Sequence, residues 1–277
     1  MQRYLIDDVF TDTPLQGNQL AVFPDAGDFS TDQMQRLARE MNFSETIFVL
    51  PAEADGDARV RIFTPAEELP FAGHPALGCS FVLGEERGLE RVTLETGLGP
   101  IPVELERADG RIAFGRMQQA VPEWRPYERE AELLAAVGVE RSGLPVELSP
   151  NGPRHVYIEL ESEGAVAALK RDVAAIAELG VAANCFAGEG RRWKTRMFAL
   201  GPPWGEDPAT GSAAGPLAIH LVRHGRIPSG EEIEIRQGQE IGRPSLIYAR
   251  AEGAADHIDR VEVGGSAVVV ARGEFAI

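Results

Sequence analysis

Phe71-Ala72-Gly73-His74-Pro75 leads into the apolar run Ala76–Leu83, and Glu206-Asp207-Pro208-Ala209-Thr210-Gly211-Ser212 leads into a second, Ala213–Val222. Apart from Ser80 and His220 these runs are apolar or small on nearly every face, and a helix apolar all round is a buried one. Each is too short to span a membrane. A buried helix start presents backbone N–H groups without intrahelical acceptors and a partial positive charge. Two such starts, flanked by His74 and Asp207, make a site for an anionic small molecule. The pattern therefore points to an enzyme.

Around these runs the chain alternates short strands with few helices. Strand patterns occur at Tyr4–Val9, Leu20–Phe23, Thr46–Leu50, Arg59–Phe63, Val92–Glu95, Ile101–Glu106 and Ile112–Arg116. A second series covers His155–Leu160, Thr195–Leu200, Ile233–Arg236, Ser245–Arg250, Arg260–Val263 and Ala267–Ala271. Helical patterns lie at Thr31–Met41, Arg129–Ala136 and Asp172–Leu179. The halves echo one another in order: Asn42-Phe43 with Asn184-Cys185-Phe186, Arg61-Ile62-Phe63 with Arg196-Met197-Phe198, the first apolar run with the second, and Thr96-Gly97 with Gln237-Gly238. So long a period fits a duplicated domain and not a solenoid. The expected fold is α+β, with two pseudo-repeated domains, each a curved antiparallel sheet or barrel around a central buried helix. The first domain is expected at 1–120, completed by a C-terminal strand at 266–277, and the second at 121–265. The hinge falls at Gln118–Pro126, and the ligand between the halves, where the helix starts converge.

Composition narrows the partners. The 277 residues are 44% apolar and carry a formal charge of −16, with an isoelectric point near 4.8, which opposes nucleic acid and anionic membrane surfaces. The one basic run, Arg191-Arg192-Trp193-Lys194-Thr195-Arg196, follows Gly188-Glu189-Gly190 and leads into an apolar strand, so it reads as a solvated hairpin. Without a leader-like or membrane-length segment, the expected location is the cytoplasm. Cys79 and Cys185 are the only cysteines, lack metal-type spacing, and read as small buried hydrophobes. His220 and His224 have a helical metal-pair spacing but no intervening glutamate. They are expected to meet carbonyls in the last helical turn, with no metal.

Individually, the polar candidates have ordinary readings. Glu45, in Asn42-Phe43-Ser44-Glu45-Thr46, reads as a solvated glutamate at a strand start, and His74 as a hydrogen-bonded residue at a helix start. Asp207 and Ser212 each suit a helix N-cap. The glycine spacing after Asp207 matches neither a nucleophile elbow nor a phosphate loop.

The combination is more specific. Asn42-Phe43-Ser44-Glu45-Thr46, Glu68-Leu69-Pro70-Phe71-Ala72-Gly73-His74-Pro75, the segment from Glu206 to Ala218, and Gly242-Arg243-Pro244-Ser245 after Gln237-Gly238 together resemble the phenazine biosynthesis PhzF-like family. The likeness runs from Asp8-Val9-Phe10 with Gly17-Asn18 to Val263-Gly264-Gly265. Asn151-Gly152-Pro153-Arg154-His155, Asn184-Cys185-Phe186-Ala187-Gly188 and Gly211–His220 carry its narrower part.

The resemblance implies a diaminopimelate epimerase-like fold, a homodimer, and cofactor-free isomerisation of trans-2,3-dihydro-3-hydroxyanthranilate, a small aromatic-precursor carboxylate, to its ketone form. It implies Glu45, His74 and Asp207 as the catalytic set and Ser44, Gly73, Gly211 and Ser212 as the substrate-binding set. Related racemases use two cysteines near the helix starts; here those places hold Gly73 and Asp207, which disfavours thiol chemistry. Two alternatives stay open: an isomerase or epimerase acting on another small carboxylate, and a non-catalytic binding subunit on the same fold.

Overall fold

The computed structural model describes residues 1–199 and 205–277. In chain order its strands and helices are β1 (Gln2–Val9), β2 (Asn18–Phe23), α1 (Thr31–Met41), β3 (Glu45–Leu50), β4 (Ala58–Phe63), β5 (Glu68–Leu69), α2 (Gly73–Arg87), β6 (Arg91–Thr96), β7 (Gly99–Ala108) and β8 (Arg111–Gln119). There follow β9 (Arg125–Pro126), α3 (Glu130–Val137), β10 (Glu147–Pro150), β11 (Arg154–Glu159), α4 (Glu163–Ala167), α5 (Val173–Leu179), β12 (Ala182–Glu189), β13 (Arg192–Phe198) and β14 (Glu206–Asp207). The chain closes with α6 (Gly211–Arg223), β15 (Ile233–Gln237), β16 (Ser245–Gly253), β17 (Ile258–Gly265) and β18 (Ala267–Phe275). Leu200, the end of the predicted strand Thr195–Leu200, lies outside the described residues. The chain is α+β and divides into two compact units, Met1–Gln118 with Gly264–Ile277, and Gln119–Val263. Among the described residues no helix is long and apolar enough to cross a membrane.

In the first unit β1 pairs antiparallel with both β2 and β18. β2 runs parallel to β3, which pairs antiparallel with β4. β4 in turn pairs antiparallel with β5 and parallel with β6, and β6 antiparallel with β7. A purely antiparallel sheet is therefore not what forms. A parallel pair needs a crossover connection, and the helices supply it: α1 lies between β2 and β3, and α2 between β4 and β6. Hydrophobic periodicity reports which face of a strand is buried and not its direction, which is why the sequence leaves this hidden.

α1 begins at a capping box, Ser30 with Gln33, and stops where Asn42 adopts φ 53°. Its Met34, Leu37 and Ala38 pack with Ala21, Phe23, Phe48 and Phe63, where Phe23 and Phe48 stack at 4.9 Å. α2 is buried from Gly73 to Gly84 and contacts β1, β2, β3, β6, β7 and β18. At Gly78 a Cβ would stand 2.7 Å from Val9 Cγ2 and 2.8 Å from Leu20 Cδ2, so this close approach of helix to sheet requires glycine.

The second unit shows a like order of pairings. β11 runs parallel to β12, β12 antiparallel to β13, β13 antiparallel to β14 and parallel to β15, and β15 antiparallel to β16. α6 is the crossover between β13 and β15, and it is buried from Gly211 to Val222. α3 and α5 cover the sheet through Leu133, Val137 and Ile176, which pack with Val156, Ile158 and Cys185. By strand register the expected echo of Asn42 in Asn184 does not hold. Asn42 caps α1, whereas Asn184 is inside β12 opposite Met197, where the first unit has Ile47 opposite Ile62.

The Arg-x-Phe echo has a physical meaning. Arg61 grips Glu68 of β5 through Nε and Nη2 at 2.7 and 2.6 Å and lies over the Phe63 ring at 5.1 Å. Arg196 grips Glu206 of β14 in the same way at 2.8 and 2.7 Å and lies over Phe198 at 5.0 Å. Here Arg171 adds a second guanidinium, 3.2 Å from Glu206 and 5.1 Å from the Phe198 centroid, and Arg196 also donates to the Ala167 carbonyl at 3.0 Å. The run Arg191–Arg196 is a hairpin, but it is not solvated from end to end: Trp193, Lys194, Thr195 and Arg196 are buried. This clamp fixes the two-residue strand that carries Asp207.

Two stability predictions follow from buried charge. Glu206 is fully buried between two guanidiniums, and breaking such a group from one side leaves uncompensated charge. Glu206→Gln is expected to cost about 3 kcal/mol in urea unfolding, whereas Glu68→Gln, at a more exposed pair, should cost about 1 kcal/mol or less. Equal losses would contradict this assignment. Asp7 is also buried, faces Gly78, and has no hydrogen-bond partner for either carboxylate oxygen among the described residues. Burial, reinforced by the neighbouring Asp8 and opposed by Arg272, pushes its carboxyl up to about 8 from 3.8. The stability from its neutral form is complete below pH 3.8 and is lost as pH rises towards 8. Asp7→Asn should therefore gain on the parent by about 1.4 kcal/mol per pH unit between those limits. A pH-independent difference would overturn this.

Candidate active site

The first unit brings together Glu45 and His74. The left-handed turn at Asn42 ends α1, Phe43 and half-buried Ser44 follow, and Glu45 opens β3 beside Leu20 of β2. His74 is the second residue of α2, buried, with Nε2 3.5 Å from Glu45 Oε2, a separation too long for a direct hydrogen bond. Its Nδ1 lies 3.2 Å from Asn18 Nδ2. Burial holds the ring down at about 3 despite a hydrogen bond with the Gln19 backbone, so the imidazole is neutral at physiological pH. Ala72, the N-cap, makes no side-chain capping bond. The first-turn N–H groups of Gly73 and His74 have no intrahelical acceptor.

In the second unit Asp207 ends β14, and its Oδ2 accepts a hydrogen bond from Thr210 Oγ1 at 2.7 Å. Gln237 ties the same turn together: its Nε2 donates to the Asp207 carbonyl at 2.8 Å and to Thr210 Oγ1 at 2.9 Å, while its Oε1 accepts from Thr195 Oγ1 at 3.1 Å. The N-cap of α6 is Thr210, again without a side-chain capping bond. Neither Asp207 nor Ser212 is therefore the N-cap their residue types suggest. Gly211 and Ser212 occupy the first helical turn, and Ser212 Oγ is 3.0 Å from His155 Nε2.

Both cysteines lie away from the helix starts. Cys79 is buried in the body of α2 and its thiol is pushed far up by burial. Cys185 is buried in β12 and is pushed up to about 12 by burial, an effect that nearby Arg196 opposes. Neither thiol is poised to ionise.

Among the described residues one group has metal-ligand composition, Glu147 with His220 and His224. The histidines do not meet helix-end carbonyls through their rings, as their position suggests. Glu147 Oε2 lies 2.9 Å from His220 Nδ1 and 3.2 Å from His224 Nε2, and accepts from Arg223 Nη1 at 2.6 Å. Burial raises this carboxyl, but the three hydrogen bonds outweigh it and hold the group at about 2. A guanidinium on that same oxygen already supplies the positive charge a cation would bring, so the group suits a satisfied carboxylate and not a metal.

Sequence reading passes over Asn18, Asn151, His155, Asn184 and Gln237 as site residues. Three of these lie in the stretches that carry the narrower family likeness, Asn151–His155 and Asn184–Gly188. That is the signal that could have found them.

Comparisons with known proteins bear on the family and the fold. The family model for phenazine biosynthesis-like proteins matches residues 7–273. The chain is 55% identical over 276 residues to the trans-2,3-dihydro-3-hydroxyanthranilate isomerase of Pseudomonas aeruginosa, covering 99% of each chain, and 53% identical to that of Pseudomonas chlororaphis, covering 100% of each. Among solved structures, a predicted epimerase from Pseudomonas aeruginosa superposes with a TM-score of 0.83 at 32% identity over 100% of both chains. With a model match along nearly the whole chain and relatives at this identity, the protein belongs to the phenazine biosynthesis-like (PhzF-like) family.

Proposed function

We propose that this chain is a cofactor-independent isomerase that converts trans-2,3-dihydro-3-hydroxyanthranilate to its ketone form in phenazine biosynthesis. The observation that carries the reading is Glu45 set 3.5 Å from a buried neutral imidazole. A neutral ring offers the carboxylate no counter-ion. Glu45 takes the proton from the ring carbon that bears the hydroxyl, breaking that C–H bond as the double bonds shift, and returns it to another ring carbon. The enol so formed becomes the ketone by losing its hydroxyl proton as the ring carbon at the far end of the enol double bond gains one. No electrons enter or leave, so the reaction needs no redox partner. His74 and Asp207 orient the amino and hydroxyl groups and move the polar protons. Ser44, the N–H groups at Gly73 and Gly211, and the Ser212 hydroxyl bind the polar groups of the substrate, its carboxylate above all.

The like order of pairings in the two units supports reading them as pseudo-repeats, each a curved sheet around its buried helix. We also infer, on the family likeness, a homodimer. A single 30.0 kDa species in sedimentation at micromolar concentration would contradict that.

The direct test supplies dihydrohydroxyanthranilate to the purified protein and follows its ultraviolet spectrum and coloured products. Glu45→Gln is expected to keep the fold and to lose about 10²- to 10⁴-fold in turnover. The double variant Cys79→Ala, Cys185→Ala is expected to keep turnover while losing some stability to small cavities. Near-parent turnover from Glu45→Gln removes it from the mechanism, and a folded but inactive double variant returns the thiol reading.

A further inference from the structure

The conspicuous polar stretches of the second unit converge on one hydroxyl. His155 is fully buried, with Nε2 3.0 Å from Ser212 Oγ and Nδ1 3.3 Å from Asn184 Nδ2. Asn184 Nδ2 also faces the Ala182 carbonyl at 3.0 Å and the Val156 carbonyl at 3.4 Å. Two carbonyls around one amide terminus identify it as the donor end, since the flipped amide would set oxygen against oxygen. The two hydrogens of that NH2 group face three acceptor positions, and a proton on His155 Nδ1 would set donor against donor, so Nδ1 is the unprotonated nitrogen. In a neutral ring the single proton must reside on Nε2, and that N–H donates to Ser212 Oγ. Burial holds the ring at about 3, which keeps it neutral throughout.

The backbone under Ser212 is fixed as well. Pro216 stands four residues further on inside α6 and has no N–H to give the Ser212 carbonyl. Asn151 Nδ2 takes that place at 2.9 Å. Gln119 Nε2 holds the adjacent Gly211 carbonyl at 3.0 Å, and its Oε1 accepts from the same Asn151 amide at 3.1 Å.

We propose that Asn184 and His155 are positioning residues which hold Ser212 as a hydrogen-bond donor towards the substrate carboxylate, and not as a nucleophile. With Nε2–H directed at it, Ser212 Oγ cannot pass its proton to His155. The hydroxyl hydrogen is left for a ligand oxygen beside the first turn of α6. A serine, histidine and asparagine in a row thus form an arrangement opposite in polarity to a catalytic triad. The proposal rests on the functional reading above for the nature of the ligand, but not for the tautomer.

The test has two arms. Long-range proton–nitrogen NMR on the ligand-free parent protein reads the imidazole tautomer of His155, assigned by its loss in His155→Gln. A protonated Nε2 and bare Nδ1 from pH 6 to 8 is the expected result, and a protonated Nδ1 overturns the proposal. The second arm titrates 3-hydroxyanthranilate against 2-aminophenol, which lacks the carboxylate. His155→Leu and Ser212→Ala should each weaken the carboxylate ligand about tenfold or more and leave 2-aminophenol unchanged. The pair together should do no worse than either alone, and His155→Gln, whose amide can donate in place of the ring, should restore affinity. Additive losses, or equal losses for both ligands, contradict the proposal. If the parent binds neither compound, it is the functional reading that fails, and the tautomer arm still decides the proposal.

Discussion

A helix that begins inside a protein must find partners for its first N–H groups somewhere other than water. On the function proposed above, that requirement is left to a ligand in both units of this chain. Ala72 and Thr210 stand at the N-caps without a side-chain bond to the turn they open, although a serine that does cap its helix occurs at Ser30. Arg129 before α3 makes no such bond either, but α2 and α6 are the helices buried almost along their whole length, where an unpaired N–H costs most. Glycine is the first residue of each, Gly73 and Gly211, so a ligand's oxygens can approach the backbone closely.

A buried, neutral histidine stands beside each of these starts. Each unit places an asparagine against a buried histidine, Asn18 with His74 and Asn184 with His155, and burial holds both rings far below neutrality. Each also anchors the short strand before its helix through an arginine that lies over a phenylalanine and grips a glutamate. In the second unit that glutamate adjoins Asp207, so the clamp bears directly on the site. The strong ion pairs Arg61–Glu68 and Arg196–Glu206 belong to the scaffold.

The fold was legible where periodicity and caps agree. α1 has its read boundaries, Thr31–Met41, because Ser30, Gln33 and Asn42 define its ends. The two buried helices were visible as apolar runs, but each begins earlier than its run, since glycine, histidine and serine carry no hydrophobic signal. β12, Ala-Ala-Asn-Cys-Phe-Ala-Gly-Glu, escaped notice because small residues take strand structure from their neighbours and not from propensity. Strand direction was hidden because periodicity reports the buried face alone. At the site, Glu45, His74 and Asp207 stood out through resemblance, while their supports did not. A buried asparagine or glutamine looks like a loop residue until the chain is folded around it, as Asn184, Asn151 and Gln237 show.

The account turns on a proton carried by one carboxylate from carbon to carbon, sheltered beside a neutral imidazole. The most direct measurement uses dihydrohydroxyanthranilate labelled with deuterium at the ring carbon that bears the hydroxyl, with turnover in ordinary water and the product read by NMR and mass spectrometry. The account predicts that a substantial part of the label reappears on another ring carbon, because the base that removes it also returns it. A product carrying none of the label, with solvent protons in its place, would contradict transfer through a single sheltered carboxylate.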